Sequence, residues 1–315
     1  MEKQDIHIVP YSEDLHDGVM QMEKGITQGT TIQLEILKKH FLDRARVFEE
    51  FYANLAVNAD NTIAGAAIGS KTMLTVNGSP FEAGFGFDAK VSTSLRKKGI
   101  GKLLAKDLYK SFFRPLGLTK CFMTAKLTNA PILKVVSRAL RKVWLYQFVY
   151  LTIPTSTRID KSKTVRKASQ QFNVQLFDNE KADSGYYTLN KNGLGFFHTW
   201  KVYTLRFKKI NWFYKKGFNF LKKVKPAKYK YLPGEGEVLS FATLFNHSPA
   251  TISGVNEILE QLEKQEIKYL LVCCRKNDCI YNYLETFSIN TYKYWLVSDF
   301  SLNEQDNITI DVRCL

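Results

Sequence analysis

Residues 91–101 read Val-Ser-Thr-Ser-Leu-Arg-Lys-Lys-Gly-Ile-Gly, the end of an apolar strand passing through a basic, glycine-punctuated turn into a helix. Two glycines two positions apart let the backbone turn with no Cβ in the way, so several N–H groups can converge on one anion at a helix N-terminus. Arg96, Lys97 and Lys98 add positive charge beside those donors. The chemistry this suits is the grip of a pyrophosphate. A nucleotide P-loop would end in Gly-Lys-Ser/Thr with a glycine five positions earlier, but Gly101-Lys102 is followed by Leu103 and Arg96 holds the earlier place. A dinucleotide fingerprint needs a third glycine near position 104, which is leucine.

The elements around the loop must present it. Residues 81–91 alternate Phe85, Phe87, Ala89 and Val91 with Glu82, Gly84, Gly86 and Asp88, which predicts a strand whose glycine face suits close approach by a ligand or another backbone. After the loop, Ile100, Leu104, Leu108 and Phe112 recur every four residues as one buried helical stripe. Upstream, residues 6–10 read as a short strand, and Ser12 with Glu13 and Asp14 opens a helix. Residues 32–51 continue helical, with Leu34, Leu37, Phe41 and Phe48 near helical spacing. Two hairpins follow, one turning at 58–61 and one at Asn77-Gly78. Downstream come a strand over 118–125, a helix opened by Asn129-Ala130-Pro131, and a closing strand over 144–153.

Arg96-x-x-Gly99-x-Gly101 in that element order resembles the coenzyme A loop of the GCN5-related N-acetyltransferase superfamily, and the resemblance covers residues 5–153. It implies an α/β fold with a mixed central sheet flanked by helices, and direct transfer of an acyl group from acetyl-coenzyme A, or another acyl-coenzyme A, to an amine. It implies that Arg96, Lys97, Lys98, Gly99, Ile100, Gly101 and Lys102 bind pyrophosphate largely through backbone amides, with Gly99 and Gly101 least tolerant of replacement. In the family, pantetheine lies against an unpaired strand edge, here Ala89 to Val91, and the Val91 N–H would be the oxyanion donor. Asn129 matches the family's asparagine, either as a pantetheine contact or as a plain helix cap. Glu82 is the nearest match to the family's glutamate base, with Asp88 beside it, and either could instead be a solvent-facing carboxylate. The family's tyrosine acid falls at Val136, which leaves Tyr146 and Tyr150 as distant candidates.

Beyond a Ser/Thr/Lys/Arg-rich linker at 155–169, residues 170–315 repeat the ending of the first unit, 1–154. Helices are expected at 253–262 and 277–287 and strands at 238–245, 267–274 and 294–297. Where the coenzyme loop would recur, His247-Ser248-Pro249-Ala250 stands, so the second copy is read as a degenerate one.

The chain has 315 residues, 45% hydrophobic and 13% aromatic, enough for a substantial core. Met1 to Asp5 carry no apolar signal core, and the longest apolar run, 143–153, is too short to cross a bilayer, so a cytoplasmic location without a transmembrane segment is expected. The five cysteines suggest no disulfide framework. Cys273, Cys274 and Cys279 lack neighbouring histidines and a Cys-x-x-Cys pair, so they are read as small apolar residues and no metal is expected. The histidines show no nucleophilic pairing with Cys or Ser, which disfavours a covalent mechanism.

Net charge is +15, and residues 201–230 hold eleven Lys or Arg with no Asp or Glu, together with eight aromatics. Such a segment suits nucleic acid, an anionic membrane surface or an acidic acyl-carrier protein, or is a solvated lysine face over a core-facing aromatic stripe. As a wall of the acceptor site it would favour an anionic small-molecule amine. Two other functions compete with N-acyl transfer. One is a non-catalytic acyl-coenzyme A sensor. The other is a Fem-like aminoacyl transferase, against which the intact coenzyme loop argues.

Overall fold

Two tight turns and alternating apolar residues build the first half as a meander. In the computed structural model, which describes residues 6–24, 26–29, 31–139, 142–160, 170–177, 185–225 and 229–315, β1 (Ile6–Pro10) leads into α1 (His16–Lys24). Strands β3 (Phe51–Asn58), β4 (Ile63–Val76) and β5 (Ser79–Val91) then pair antiparallel in order, with β1 on the outer side of β3. Asn77 at φ 51° and Gly78 at φ 80° close the β4–β5 hairpin in the left-handed pair that matches strand twist.

The helix expected over 32–51 is absent. Residues 32–37 form β2 (Ile32–Leu37), and 39–50 are turns and bends. Ile32, Leu34 and Ile36 alternate with Gln33 and Glu35, and the partner of this strand is β11 (Thr204–Ile210), far along the chain. With β12 (Val238–Leu239) these strands make a separate three-stranded sheet of order β12-β11-β2. Tertiary pairing here overrides a helical spacing carried by few residues.

After the loop come α2 (Ile100–Leu108), β6 (Cys121–Lys126), α3 (Ala130–Ala139) and β7 (Trp144–Pro154). Ile100, Leu104 and Leu108 are buried as their spacing requires. The stripe does not continue to Phe112. A π-turn over Tyr109–Phe113, in which the Arg114 N–H donates to the Tyr109 carbonyl at 2.9 Å, rotates Phe113 inward instead. Its ring fills a slot where a Cβ on Gly69 or Gly84 would stand 2.8 or 2.7 Å away. Gly84 thus serves the protein's own packing.

The second half supplies β8 (Phe172–Gln175), β9 (Tyr187–Leu189), β10 (Gly195–Phe197), α4 (Thr199–Val202), α5 (Trp212–Val224) and β13 (Phe241–Phe245). It continues with α6 (Val255–Lys264), β14 (Tyr269–Cys274), α7 (Cys279–Leu284), β15 (Asn290–Ser298) and β16 (Ile308–Asp311). The strand expected over 238–245 is divided, its first two residues joining the small sheet and 241–245 the large one.

The large sheet has 13 strands among the described residues, with the path β1-β3-β4-β5-β6-β15-β7-β14-β13-β10-β9, and β16 pairing with β4 and β8. Its centre interleaves the halves. β15 lies between β6 and β7, and β7 lies between β15 and β14, all antiparallel. Outside this centre, β5 is parallel to β6 and β13 is parallel to β14. The sheet therefore runs unbroken across the expected boundary at 154, and Thr155 is buried, its hydroxyl donating to the Ile267 carbonyl at 2.7 Å. Residues 161–169 of the expected linker lie outside the described residues. Adjacent Cys273 and Cys274 point to opposite faces of β14, one into each of two hydrophobic cores.

Candidate active site

The loop starts where β5 leaves its partner. The Ser92 N–H donates to the Ala64 carbonyl at 2.9 Å, a short 3₁₀ turn covers Thr93–Leu95, and Arg96 Nε lies 3.4 Å from the Val91 carbonyl. Lys97 at φ 68° and Gly99 at φ 88° then turn the chain into α2. Lys102 donates the first intrahelical bond, to the Gly99 carbonyl at 3.0 Å, so the helix offers no acceptor to the amides of Ile100 and Gly101. Those amides, the positive end of the helix dipole, and the exposed side chains of Arg96, Lys97 and Lys98 share one exposed turn. Half-buried Lys102 follows within the first helical turn.

The two loop glycines differ in what they do. Gly99 holds a left-handed conformation, with nothing within 4 Å of an added Cβ. Gly101 is an ordinary helical residue whose Cβ would rest 3.4 Å from Val135 of α3. Only the first is conformationally demanding, so of the two glycines expected to be least tolerant of replacement the backbone requires only Gly99. Gly65 of β4 also matters, since a Cβ there would meet the Lys90 carbonyl at 2.8 Å and the Ile100 side chain at 3.2 Å. Its absence seats the start of α2 against the sheet.

Beside the loop the sheet opens. β5 and β6 pair only at Gly84 with Cys121 and Phe85 with Phe122, and beyond Phe85 the β5 edge has no ladder on that side. The Ser92 N–H is used by β4, and donors alternate along a strand, so the Val91 N–H points into the opening. Ala89 lies two residues earlier on the same open stretch. Asn129 sits where β6 passes into α3. Its N–H donates to the Lys126 carbonyl at 2.9 Å, its carbonyl accepts from Leu133 at 3.5 Å, and it is exposed.

The two candidate carboxylates have unlike surroundings. Glu82 is exposed and pairs with Lys71 at 2.8 Å, nine residues before Val91, or about 30 Å along an extended strand. The structure does not bring it to the loop. Asp88 has a buried side chain because the strand bulges there. The β4 register shifts between Ala66 and Ile68, and Asp88 takes φ 48°. This re-aims Asp88 toward the side of Phe87, away from the Glu82 face expected from simple alternation.

At the bulge Asp88 meets Lys38 at 3.0 Å and Arg44 at 3.1 Å, and Glu23 bridges Lys38 at 3.2 Å and Lys90 at 2.7 Å. Burial alone would raise the Asp88 pKa, but Lys38, Arg44 and Lys90 outweigh it and hold the carboxyl well below the usual range. Burial likewise opposes the Lys38 charge, and Asp88 with Glu23 outweighs it, raising that pKa. A carboxylate so stabilised is a weak base. Asp88 fits the part of a fixed counter-ion better than that of a proton acceptor.

Arg44 extends this network toward the second half. Its guanidinium lies 5.1 Å from the Phe87 ring centre and 5.8 Å from that of Tyr203, and Nη2 is 3.4 Å from the Leu315 carbonyl. Tyr150 of β7 and Tyr294 of β15 pack at 4.6 Å nearby. Burial raises the pKa of Tyr150, Tyr203 and Tyr294, keeping all three protonated. Half-buried Lys126, at the end of β6, lies 5.3 Å from the Tyr292 ring, and burial lowers its pKa. Lys38, Arg44, Tyr203 and Tyr294 were not singled out by sequence reasoning, because their partners lie on distant elements. Tyr146, a candidate acid, instead donates to the Asp306 carbonyl at 2.9 Å under Arg275.

Another polar cluster joins Tyr11, Glu13, His16 and His40. Tyr11 Oη is 3.0 Å from His16 Nδ1, and His40 Nε2 is 3.2 Å from Glu13. Glu13, His16 and His40 could offer ligand atoms within 4.8 Å of one another. However, the Leu42 N–H donates to His40 Nδ1 at 3.0 Å, which leaves the ring proton of neutral His40 on Nε2, facing Glu13. The group is a hydrogen-bond chain.

The second half has a parallel pair of its own, and protein groups occupy its end. β13 and β14 pair at three positions, and His247 follows the end of β13. Its Nε2 donates to the Cys273 carbonyl at 3.1 Å, while Nδ1 accepts from Gln170 at 3.1 Å. The Asn246 N–H donates to Val174 of β8 at 2.7 Å. Burial lowers the His247 pKa to about 4. Unfolded histidine titrates near ~6.5, so below that pH the unfolded chain takes up a proton that the native ring resists. The contribution is complete above ~6.5 and falls as pH drops toward about 4, by up to ~3 kcal/mol. Urea midpoints measured across this window are expected to decline, and His247→Gln is expected to flatten the decline.

No family profile and no curated protein matches the chain. Solved structures do. Saccharomyces cerevisiae N-myristoyltransferase with bound myristoyl-CoA is similar in one structure at 10% identity and TM-score 0.60, over 98% of this chain and 81% of that one. In another it is similar at 8% identity and TM-score 0.56, over 98% and 85%. The chain has the mixed α/β fold of those N-myristoyltransferase structures.

Proposed function

We propose that this protein is an N-acyltransferase that moves an acyl group from acyl-coenzyme A to an amine. The observation that carries the reading is one juxtaposition: a basic turn with a left-handed glycine at the N-terminus of α2, placed beside a β5 edge that opens away from β6. A diphosphate suits the first and an extended amide-bearing arm suits the second. The ends of the two parts meet at Val91.

The residues present fit the chemistry that such a donor demands. The Val91 N–H would donate to the thioester carbonyl oxygen as negative charge develops there. An amine nitrogen attacks the carbonyl carbon, the C–N bond forms, the C–S bond breaks, and the departing thiolate takes up a proton in exchange for the one the amine loses. Lys38, Arg44 and Lys90 are ion-paired with Glu23 and Asp88, three cations to two carboxylates, so the cluster keeps a positive excess. The tyrosines at 150, 203 and 294 then supply a protonated, half-apolar wall for the acceptor. The acceptor is read as a small amine, with acetyl-coenzyme A the first donor to test.

A sensor without turnover is the second reading, favoured by the weak basicity of Asp88 and the remoteness of Glu82. Thiol release from acyl-coenzymes of increasing chain length, each with a panel of amines, separates the two. Amine-dependent release above hydrolysis is expected. Tight binding with no amine effect at any chain length would establish the sensor instead.

A further inference from the structure

Helix α5 is 13 residues long and buries none of them. Phe213 is 74% exposed, Phe220 64% and Trp212 57%, in a chain whose other aromatics are largely packed. At about 100° per residue, Phe213, Phe220 and Val224 fall together at one edge of an apolar arc that continues through Leu221 to Phe218. Leu221 and Phe218 are partly covered by the protein, and the Phe213–Phe220–Val224 edge faces outward. Lys216 and Lys223 border that edge, and Lys215 and Lys222 border the far side of the arc.

The helix stands away from the candidate cleft. β11 begins at Thr204, opposite Leu37 and next to Tyr203, and reaches α5 only after Ile210, about 20 Å farther along the strand. Its lysines therefore do not line the acceptor site. Lys215 is paired with Glu235 at 3.6 Å, and Lys216 Nζ lies 3.9 Å from the Trp212 ring.

We propose that α5 docks this protein on an anionic lipid bilayer, lying in the plane of the headgroups with Phe213, Phe220 and Val224 inserted. Thirteen residues span about 20 Å, too short to cross a bilayer and suited to lie along one. The helix carries four lysines and no carboxylate, so its charge complements phosphatidylserine. Lysine stems bordering an apolar ridge can reach up to headgroups while the ridge is buried, and Trp212 and Tyr214 have the amphipathic rings that interfaces favour. An acidic carrier protein would engage the lysines but leave the phenylalanine ridge in water. The inference does not depend on the transferase reading.

Flotation of the full chain with vesicles tests it. Binding to phosphatidylcholine vesicles carrying about 30 mol % phosphatidylserine is expected to exceed binding to phosphatidylcholine alone by at least ~10-fold, and to weaken in high salt. Phe213→Ser with Phe220→Ser is expected to cut binding by at least ~10-fold with circular dichroism unchanged, since both side chains are exposed. Lys216→Glu with Lys223→Glu is expected to abolish the preference for phosphatidylserine. No flotation on either vesicle, or flotation indifferent to the phenylalanine pair, would overturn the proposal. So would a concentration-dependent dimer in sedimentation velocity that the phenylalanine variant abolishes, because a second copy would then cover the ridge.

Discussion

Asp88→Asn is expected to lower folding stability by about 3–5 kcal/mol, because it takes away the carboxylate that Arg44 bonds and leaves Lys38 to share Glu23 with Lys90. The Lys38 side chain is fully buried and that of Arg44 is partly buried, and Asp88 bonds both. Asparagine is the informative replacement, since it tolerates the left-handed conformation at φ 48° and so isolates the loss of charge from backbone strain. Domains of ordinary stability have about 5–15 kcal/mol in all, so the urea midpoint should fall by a large fraction at unchanged slope. Adding Lys38→Met to Asp88→Asn should recover part of the loss, because it removes one buried cation and leaves Glu23 to Lys90 alone. Glu82→Gln is the contrasting control. Its exposed pairing with Lys71 should be worth no more than ~1 kcal/mol. The sign with pH follows from the depressed Asp88 pKa: the contribution is complete above the ordinary carboxylate value near ~4 and is lost as pH falls through the native one.

Gly99→Val is expected to weaken coenzyme A binding by at least about 100-fold while the fold survives. Nothing lies within 4 Å of an added Cβ, so the folded chain meets no clash. A β-branched residue at φ 88° nevertheless costs ~1–2 kcal/mol and is relieved by moving the turn out of the left-handed region. That movement turns the neighbouring amides away from a common point. Losing two charge-assisted bonds of about 1.5–3 kcal/mol each accounts for the expected loss. Gly101→Ala, which places a methyl in ordinary contact with Val135, should bind nearly as the parent does. Isothermal calorimetry on both variants, with thermal unfolding as the check on the fold, reads the difference.

What could be read from the sequence was what is decided locally. The Asn77-Gly78 turn, the glycine-marked loop, the Ile100–Leu104–Leu108 stripe and the proline-opened helix at 130 each carry their signal within a few residues. Features set by distant partners were hidden. Residues 32–37 look helical by spacing and become a strand because 204–210 pairs with them. The stripe breaks at Phe112 because a wide turn lets Phe113 find the gap above Gly69 and Gly84. The Asp88 network joins residues 50 and 44 positions apart through a bulge that has no sequence signature of its own. Element order also says nothing of strand order, so the exchange that puts β15 between β6 and β7 appears only in the fold.

That exchange bears on function. Because β7 and β15 cross between the halves, Tyr150 and Tyr294 stand side by side on the face that holds Arg44 and Asp88, and neither half alone would form this wall. In the second half the His247 imidazole bonds the Cys273 carbonyl of β14.

The decisive measurement is a crystal structure with a 2-oxoalkyl thioether of coenzyme A, which keeps a ketone carbonyl beside the sulfur and cannot transfer its acyl group. The diphosphate is expected on the amides of Ile100 and Gly101, with Gly99 left-handed, and the carbonyl oxygen within hydrogen-bond reach of the Val91 N–H. A diphosphate bound elsewhere, or an arm that bypasses the open β5 edge, would contradict that placement.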